Sequence, residues 1–126
     1  MSTISRVVLN SSAALIVLGG LYDLFTPKLP PSLIAICGDN ERAKKLVREL
    51  LRALGGSLVA VGATVAALVN TSTPETTRRN LLLVLLLVIP AEGVNSISMR
   101  KVGSPFYVPL AFLLLTVLGV ALAWPA

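Results

Sequence analysis

Four long apolar runs constrain this chain more than any other feature of its sequence. They cover about residues 7–25, 46–69, 81–99 and 106–124. A helix rises about 1.5 Å per residue, so ~20 consecutive apolar residues cross the ~30 Å hydrocarbon core of a bilayer. Each run comes close to this length. The pattern therefore predicts four membrane-spanning helices.

Composition agrees with a membrane protein. The chain has 126 residues, of which 55% are hydrophobic and only 13% are charged, and its mean hydropathy is +0.84. Soluble domains carry about twice that share of charged residues. Little chain remains outside the four runs. We therefore expect a single integral membrane domain over residues 1–126, folded as an all-α, antiparallel up-and-down bundle of four transmembrane helices.

The connection between the first and second runs has a character of its own. It reads PKLPPSLIAICGDNERAKK, with three prolines that break a helix, yet it keeps the apolar stretch Leu33 to Ile36. This combination predicts a short interfacial segment between the first two spans. Asp39 or Asn40 is a suitable N-cap for a second helix that begins near Glu41.

The side chains available for chemistry are few. Cys37 is the only cysteine and histidine is absent, so no disulfide can form within the chain and the commonest metal ligand is missing. We therefore expect no metal and no cofactor, and any acid–base chemistry falls to carboxylates, lysine, arginine, tyrosine or water. The basic residues lie in short segments between apolar runs. This placement favours topology signals and lipid contacts over nucleic-acid binding.

The distribution of Lys and Arg predicts the orientation. Four spans place both termini and the loop of residues 70–80 on one side of the membrane, called side B, and the other two connections on side A. Eight basic residues fall on side A: Lys28, Arg42, Lys44, Lys45, Arg48, Arg52, Arg100 and Lys101. Three fall on side B: Arg6, Arg78 and Arg79. The positive-inside rule then places side A in the cytoplasm and both termini outside or in a lumen.

Polar residues converge in the half of the membrane nearest side A. Glu92, Asn95, Ser96 and Met99 are spaced by three, four and seven residues, so they share one stripe of the third span. The other spans contribute at similar depth, with Asp23, Arg52 and Tyr107. A charge facing lipid costs on the order of 2.5 to 3.5 kcal/mol near the bilayer centre. We therefore expect these side chains to face one another.

Such a cluster suits proton transfer. An apolar environment disfavours the charged form of a carboxyl group, so a buried carboxyl can hold a proton and act as a general acid. We predict Glu92 as that acid and Asp23 as base or cation stabiliser, with Arg52, Asn95, Ser96 and Tyr107 binding or orienting the substrate. The substrate is predicted to be a lipophilic small molecule that enters from the membrane lipid. Cyclisation, isomerisation and epoxide opening are the fitting reactions.

A structural interpretation stands beside the catalytic one. Asp23 and Glu92 would simply pair with Arg52 and Arg100 and so fix the register of the helices. Gly55 and the other small residues of the second span favour close helix packing over a ligand site.

Three segments carry a resemblance to a known family. GGLYDLFTP, NERAKKLVRELLRALGG and IPAEGVNSISM, at the ends of the first three spans, resemble the small four-helix DoxX-like membrane proteins. The plan of the chain is also similar to that of small membrane cyclases and isomerases of natural-product pathways. That similarity implies acid-initiated chemistry by intramembrane carboxylates, which would here be Asp23 and Glu92.

Two further function classes remain open. Small multidrug exporters are similar in length, but they use a buried glutamate in the first span, and residues 7–21 here contain no carboxylate. A proton-coupled transporter would therefore rely on Glu92, in a homodimer, because four helices enclose little space. A membrane assembly subunit would instead use its small-residue faces to bind partner helices, and would tolerate Glu92→Gln.

Overall fold

The fold is all-α, as predicted. The computed structural model describes residues 1–126 and contains five helices and no strand. The helices are α1 (Thr3–Phe25), α2 (Pro31–Cys37), α3 (Glu41–Asn70), α4 (Thr77–Lys101) and α5 (Tyr107–Ala123). The four predicted spans correspond to α1, α3, α4 and α5. The short α2 occupies the segment that the sequence predicted between the first two spans.

Local sequence explains where the helices begin and end. Ser2 caps α1, its hydroxyl accepting a hydrogen bond of 3.2 Å from the Ser5 amide. Asn40 caps α3 in the same way and accepts 3.0 Å from the Ala43 amide. Such caps satisfy amides that have no partner within the helix. The second long helix therefore starts at Glu41, as its sequence predicted.

Two of the connections between helices turn at a glycine. Gly38, after α2, has φ 58° and Gly103, after α4, has φ 75°. Both angles belong to the left-handed region that other residues rarely adopt. These turns allow α2 to lead directly into α3, and α4 to reverse into α5.

Three helices, α1, α3 and α4, are long and apolar enough to cross a membrane. The fourth apolar helix, α5, has 17 residues, near the lower end of the usual range for a span. Large apolar side chains on these helices face outward, including Leu86, which is 68% exposed, and Leu114, which is 58% exposed. Soluble monomers rarely expose so much contiguous apolar surface. The chain is a multi-pass membrane protein.

The long helices pack in a cycle of neighbours. α1 contacts α3 and α5, and α4 contacts the same two helices, whereas α1 and α4 share no close backbone contact. Residue pairs give the directions of the helices. Gly20 meets Gly55 at one end of the α1–α3 contact and Asn10 meets Asn70 at the other, so the two helices run in opposite directions.

Glycine allows α1 and α3 to approach closely. A Cβ atom built on Gly55 would lie 2.5 Å from the carbonyl oxygen of Gly20, and one on Gly62 would lie 2.8 Å from that of Ala13. Backbone therefore touches backbone at two levels of this interface. The interpretation of Gly55 as a packing residue is confirmed, whereas a Cβ on the adjacent Gly56 would meet nothing within 4 Å.

The half of the molecule that contains the two termini and the α3–α4 loop has a packed apolar core and polar contacts between helices. Its apolar core includes Leu9, Val65, Leu81 and Val84, all essentially without solvent exposure. The amides of Asn10 and Asn70 exchange hydrogen bonds of 3.1 and 2.8 Å between α1 and α3. Asn80 donates 3.1 Å to the Leu68 carbonyl, joining α4 to α3. A shallow surface groove lies beside the start of α4, and two further cavities lie in the opposite half.

Candidate functional site

An inner cavity of about 350 Å³ lies where α1 and α4 end and α5 begins. Its walls are mostly apolar. The side chains that matter for chemistry are Tyr22 and Asp23 from α1, Glu92, Asn95 and Met99 from α4, and Phe112 from α5. The two carboxyl groups and the amide of Asn95 are its principal polar groups. A mostly apolar pocket with a few convergent polar groups is the usual form of a small-molecule site.

Glu92 is the most unusual residue of this cavity. It is 1% exposed, and its Oε1 atom is buried with no hydrogen-bond partner. Leaving a buried polar atom unpaired costs ~1–3 kcal/mol, so nearly all such atoms in native proteins have partners. Its position follows from helix periodicity, because Val84, Val88, Glu92 and Ser96 are all buried and lie four residues apart along the inner face of α4.

Pro90 does not interrupt this face. α4 continues as a helix through Pro90, and the proline ring lies on the exposed side of the helix. The structure therefore places the proline on the outer surface and Glu92 on the inner one.

Asp23 lies in the last turn of α1, where the Thr26 amide donates 2.9 Å to the Tyr22 carbonyl and the chain turns away toward α2. Its carboxyl is partly buried and forms no ion pair. Asp23 also lines a second, outer cavity of about 610 Å³, whose wall includes Lys28 and Ser32. The carboxyl of Asp23 thus borders both spaces.

The outer cavity is framed by the α1–α2 connection and the α4–α5 turn. The hydroxyl oxygens of Ser32 and Ser104 lie 2.6 Å apart and join these two segments. Pro30 and Pro105, one from each segment, line both cavities together with Tyr22 and Asp23. The inner and outer cavities therefore adjoin at Asp23, and two prolines stiffen the boundary between them.

Three of the predicted site residues lie outside both cavities. Arg52 is partly exposed and forms an ion pair of 2.7 Å with Glu49, one turn earlier on α3. Tyr107 is 64% exposed at the start of α5. Ser96 is buried, and its hydroxyl donates 3.0 Å to the Phe106 carbonyl at the α4–α5 turn. Of the predicted site residues, Asp23, Glu92 and Asn95 line the inner cavity. Arg52, Ser96 and Tyr107 lie elsewhere.

The predicted pairing of the carboxyl groups with arginines is wrong. The two salt bridges of the structure join Lys44 to Glu41 and Arg52 to Glu49, both within α3. Arg100 lies over the ring of Phe106 at 5.5 Å. Arg52 pairs with Glu49 because residues three apart on a helix are neighbours on its surface. Asp23 and Glu92 therefore do not act as ionic ties between helices.

Sequence reasoning missed Tyr22 and Phe112 as lining residues. Tyr22 is adjacent to Asp23, and the end of the helix brings both side chains to the cavity. Phe112 lies one turn after Pro109 on the inner side of α5, where a Cβ atom on Gly19 would lie 3.4 Å from its ring. The three-residue spacing between Pro109 and Phe112 places both on one face of α5 and could have identified Phe112 from the sequence.

No group of three His, Cys, Asp or Glu side chains is placed to hold a metal ion. No protein-family model matches the chain, and neither a curated protein nor a solved structure shows significant similarity to it. The resemblance to DoxX-like proteins stays a prediction. What the chain does has to be inferred from the cavity itself.

Proposed function

We propose that this protein is a cofactor-independent membrane enzyme that performs acid–base chemistry on a lipophilic small molecule in the inner cavity. The observation that carries the proposal is that Asp23 and Glu92 line one apolar cavity while Glu92 keeps a buried, unpartnered carboxyl oxygen. A structural carboxyl at this depth would be expected to have its partner already in place. We infer that a substrate entering the cavity supplies the missing partner of this oxygen.

The membrane arrangement that fits this function is an antiparallel bundle of four spans, α1, α3, α4 and α5, with α2 at the interface. Side A, which carries eight of the 11 Lys and Arg residues, then faces the cytoplasm. Both cavities lie toward side A. The outer cavity would meet the aqueous interface there, and the inner one would lie at the depth of the acyl chains.

Glu92 acts as the proton donor in this proposal. Its proton passes to an alkene carbon, an epoxide oxygen or a carbonyl oxygen of the bound molecule, and positive charge develops on the substrate. Asp23, in its ionised form, stabilises that charge or removes a proton from a neighbouring carbon. Asn95, one turn after Glu92 and in the same wall, is placed to orient the substrate. Because the apolar walls exclude water, a reactive cation is protected from premature capture.

The enzyme must return a proton from Asp23 to Glu92 after each turnover. Asp23 borders both the inner and the outer cavity, so water in the outer cavity can exchange protons with it. Glu92 is buried in the inner cavity and depends on that route. The positions of the two carboxyl groups therefore suit the roles of buried acid and water-accessible base.

A transporter and an assembly subunit are the alternatives. Transport needs access to Glu92 from both sides, but Leu9, Val65 and Leu81 fill the bundle between the cavity and side B. An assembly subunit binds partner helices through exposed faces, and Glu92, 1% exposed, does not lie on one. Both observations favour the enzyme.

The test uses purified protein in lipid nanodiscs, incubated in D₂O with a lipid extract of the cells that produce it. Mass spectrometry then compares the extract with and without protein. Cyclisation initiated by protonation of an alkene carbon yields an isomer that keeps one solvent deuterium on carbon. Protonation of an epoxide or carbonyl oxygen leaves only exchangeable deuterium, so that isomer is recognised by a changed retention time at unchanged mass, and epoxide hydrolysis adds one water. Glu49→Gln, which changes a carboxyl outside both cavities, should preserve this product, and Glu92→Gln should abolish it. No protein-dependent change in the extract would count against the enzyme.

A further inference from the structure

The inner cavity has a charge imbalance that points to its ligand. Two carboxyl groups, Asp23 and Glu92, line it, and no lysine or arginine does. Neither carboxyl has an ion-pair partner anywhere in the chain. Buried acidic groups are usually paired with a base or a metal ion, because an isolated charge in an apolar medium is expensive. Here the protein supplies no positive charge to match them.

We propose that the cavity binds lipophilic molecules carrying one positive charge, such as amines or quaternary ammonium compounds. The inference rests on the proposed function, since it names the substrate class for the same cavity. Glu92, 1% exposed and protonated as the proposed acid, contributes the unpartnered Oε1 as a neutral acceptor in the cavity wall. Asp23, ionised as the proposed base, supplies the negative charge at the cavity boundary. An ammonium group placed between them provides the missing positive charge.

Aromatic side chains reinforce this selectivity. Tyr22 on α1 and Phe112 on α5 both line the cavity. The face of an aromatic ring attracts a cation, and quaternary ammonium groups are commonly recognised by such rings. Leu58, Val108 and Met99 provide apolar surface for the remainder of the ligand. Lys28 lines the outer cavity but not the inner one.

The test compares two probes of the same shape. Benzyltrimethylammonium and neopentylbenzene differ in having a charged nitrogen or a neutral carbon at one position. Each probe is equilibrated by dialysis between nanodiscs that contain the protein and empty nanodiscs. The amount of probe in the empty nanodiscs measures its partition into lipid and is subtracted from the total. The proteins are the wild type, Asp23→Asn, Glu92→Gln and the surface control Glu49→Gln.

We expect the wild type and Glu49→Gln to bind the ammonium probe equally. At least one of the two cavity variants should weaken it by ~10-fold or more, about 1.4 kcal/mol, and leave the neutral probe within about twofold. Two outcomes overturn the inference: neither cavity variant weakens the ammonium probe, or both probes weaken alike. The second outcome would show that the two carboxyl groups do not select for positive charge. If instead Glu92-dependent deuterium incorporation occurs without cation selectivity, the enzyme stands and only the substrate class is wrong.

Discussion

Asp23 and Glu92 line the same cavity although α1 and α4, the helices that carry them, share no close backbone contact. α1 and α4 lie diagonally across the cycle of helices, and each packs against α3 and α5 instead. A gap between diagonal helices is where bundles form cofactor and ligand sites from inward-facing side chains. The two carboxyl groups thus meet across space that no helix fills, and a small molecule can enter between them.

Glu92→Gln should abolish conversion of the substrate while leaving the fold intact. Glutamine has nearly the same shape and can occupy the same wall, but its amide does not donate a proton as an acid does. Loss of a general acid typically lowers a rate by ~10²–10⁴-fold. The measurement is the deuterium-labelled product per unit time, with thermal unfolding of the same samples followed by circular dichroism. Full conversion by Glu92→Gln would show that Glu92 is not the proton donor.

Gly55→Ala should destabilise the protein, and the neighbouring Gly56→Ala should not. The new Cβ atom at Gly55 would lie 2.5 Å from the Gly20 carbonyl oxygen and 2.7 Å from the Leu24 amide nitrogen, and backbone cannot move away cheaply. Overpacking of this kind costs ~1–3 kcal/mol. At Gly56 the Cβ meets nothing within 4 Å, and alanine favours the helix by up to ~1 kcal/mol.

Thermal unfolding in one detergent, followed by helical circular dichroism, compares the two glycine variants directly. Equal midpoints for Gly55→Ala and the wild type would show that α1 and α3 are not in close contact in the membrane protein. Because a Cβ on Gly55 also lies 3.1 Å from the Cβ of Asp23, the variant should reduce activity as well.

Sequence predicted the helices well and the site only in part. Apolar runs and caps are local signals, so α1, α3 and α4 were placed within a few residues of their ends. Helix spacing also placed Glu92 and Asn95 in one wall, because their relation is set by a single helix. Arg52 and Tyr107 were misplaced because their contacts depend on how neighbouring helices rotate. Arg52 prefers Glu49 on its own helix, and no spacing rule reveals that Tyr107 faces outward.

Ser96→Ala should lower stability without changing the reaction. The Ser96 hydroxyl donates 3.0 Å to the Phe106 carbonyl, so the variant leaves an acceptor at the α4–α5 turn without its donor. Loss of one such bond costs ~1 kcal/mol. Thermal unfolding should register that loss, while the deuterium-labelled product forms at a rate within about twofold of the wild type. If the rate of product formation falls as far as it does in Glu92→Gln, Ser96 takes part in the reaction.

Asn10 and Asn70 should be energetically coupled. Their amides exchange two hydrogen bonds, of 3.1 and 2.8 Å, between α1 and α3 near side B. Hydrogen bonds between membrane helices average ~0.6 kcal/mol and reach ~1.7 kcal/mol. A double-mutant cycle with Asn10→Ala and Asn70→Ala, read as unfolding free energy in detergent, should give a coupling in this range. Asn70 also donates 2.8 Å to the Ala66 carbonyl on its own helix, a bond that the Asn10→Ala background keeps. Strictly additive effects would mean that the two amides do not bind each other in the membrane.

Cys37, the only cysteine, reports the orientation of the protein without any engineering. It ends α2 on side A, and the excess of basic residues there predicts a cytoplasmic location. A membrane-impermeant maleimide should therefore label Cys37 only after intact cells are permeabilised. The matched control moves the thiol to side B by combining Cys37→Ser with Glu75→Cys, an exposed position, and should be labelled in intact cells.

The reverse pattern would invert the topology and open the outer cavity to the lumen or the exterior. The acid–base roles of Asp23 and Glu92 would stand, but protons would then be exchanged with the opposite compartment.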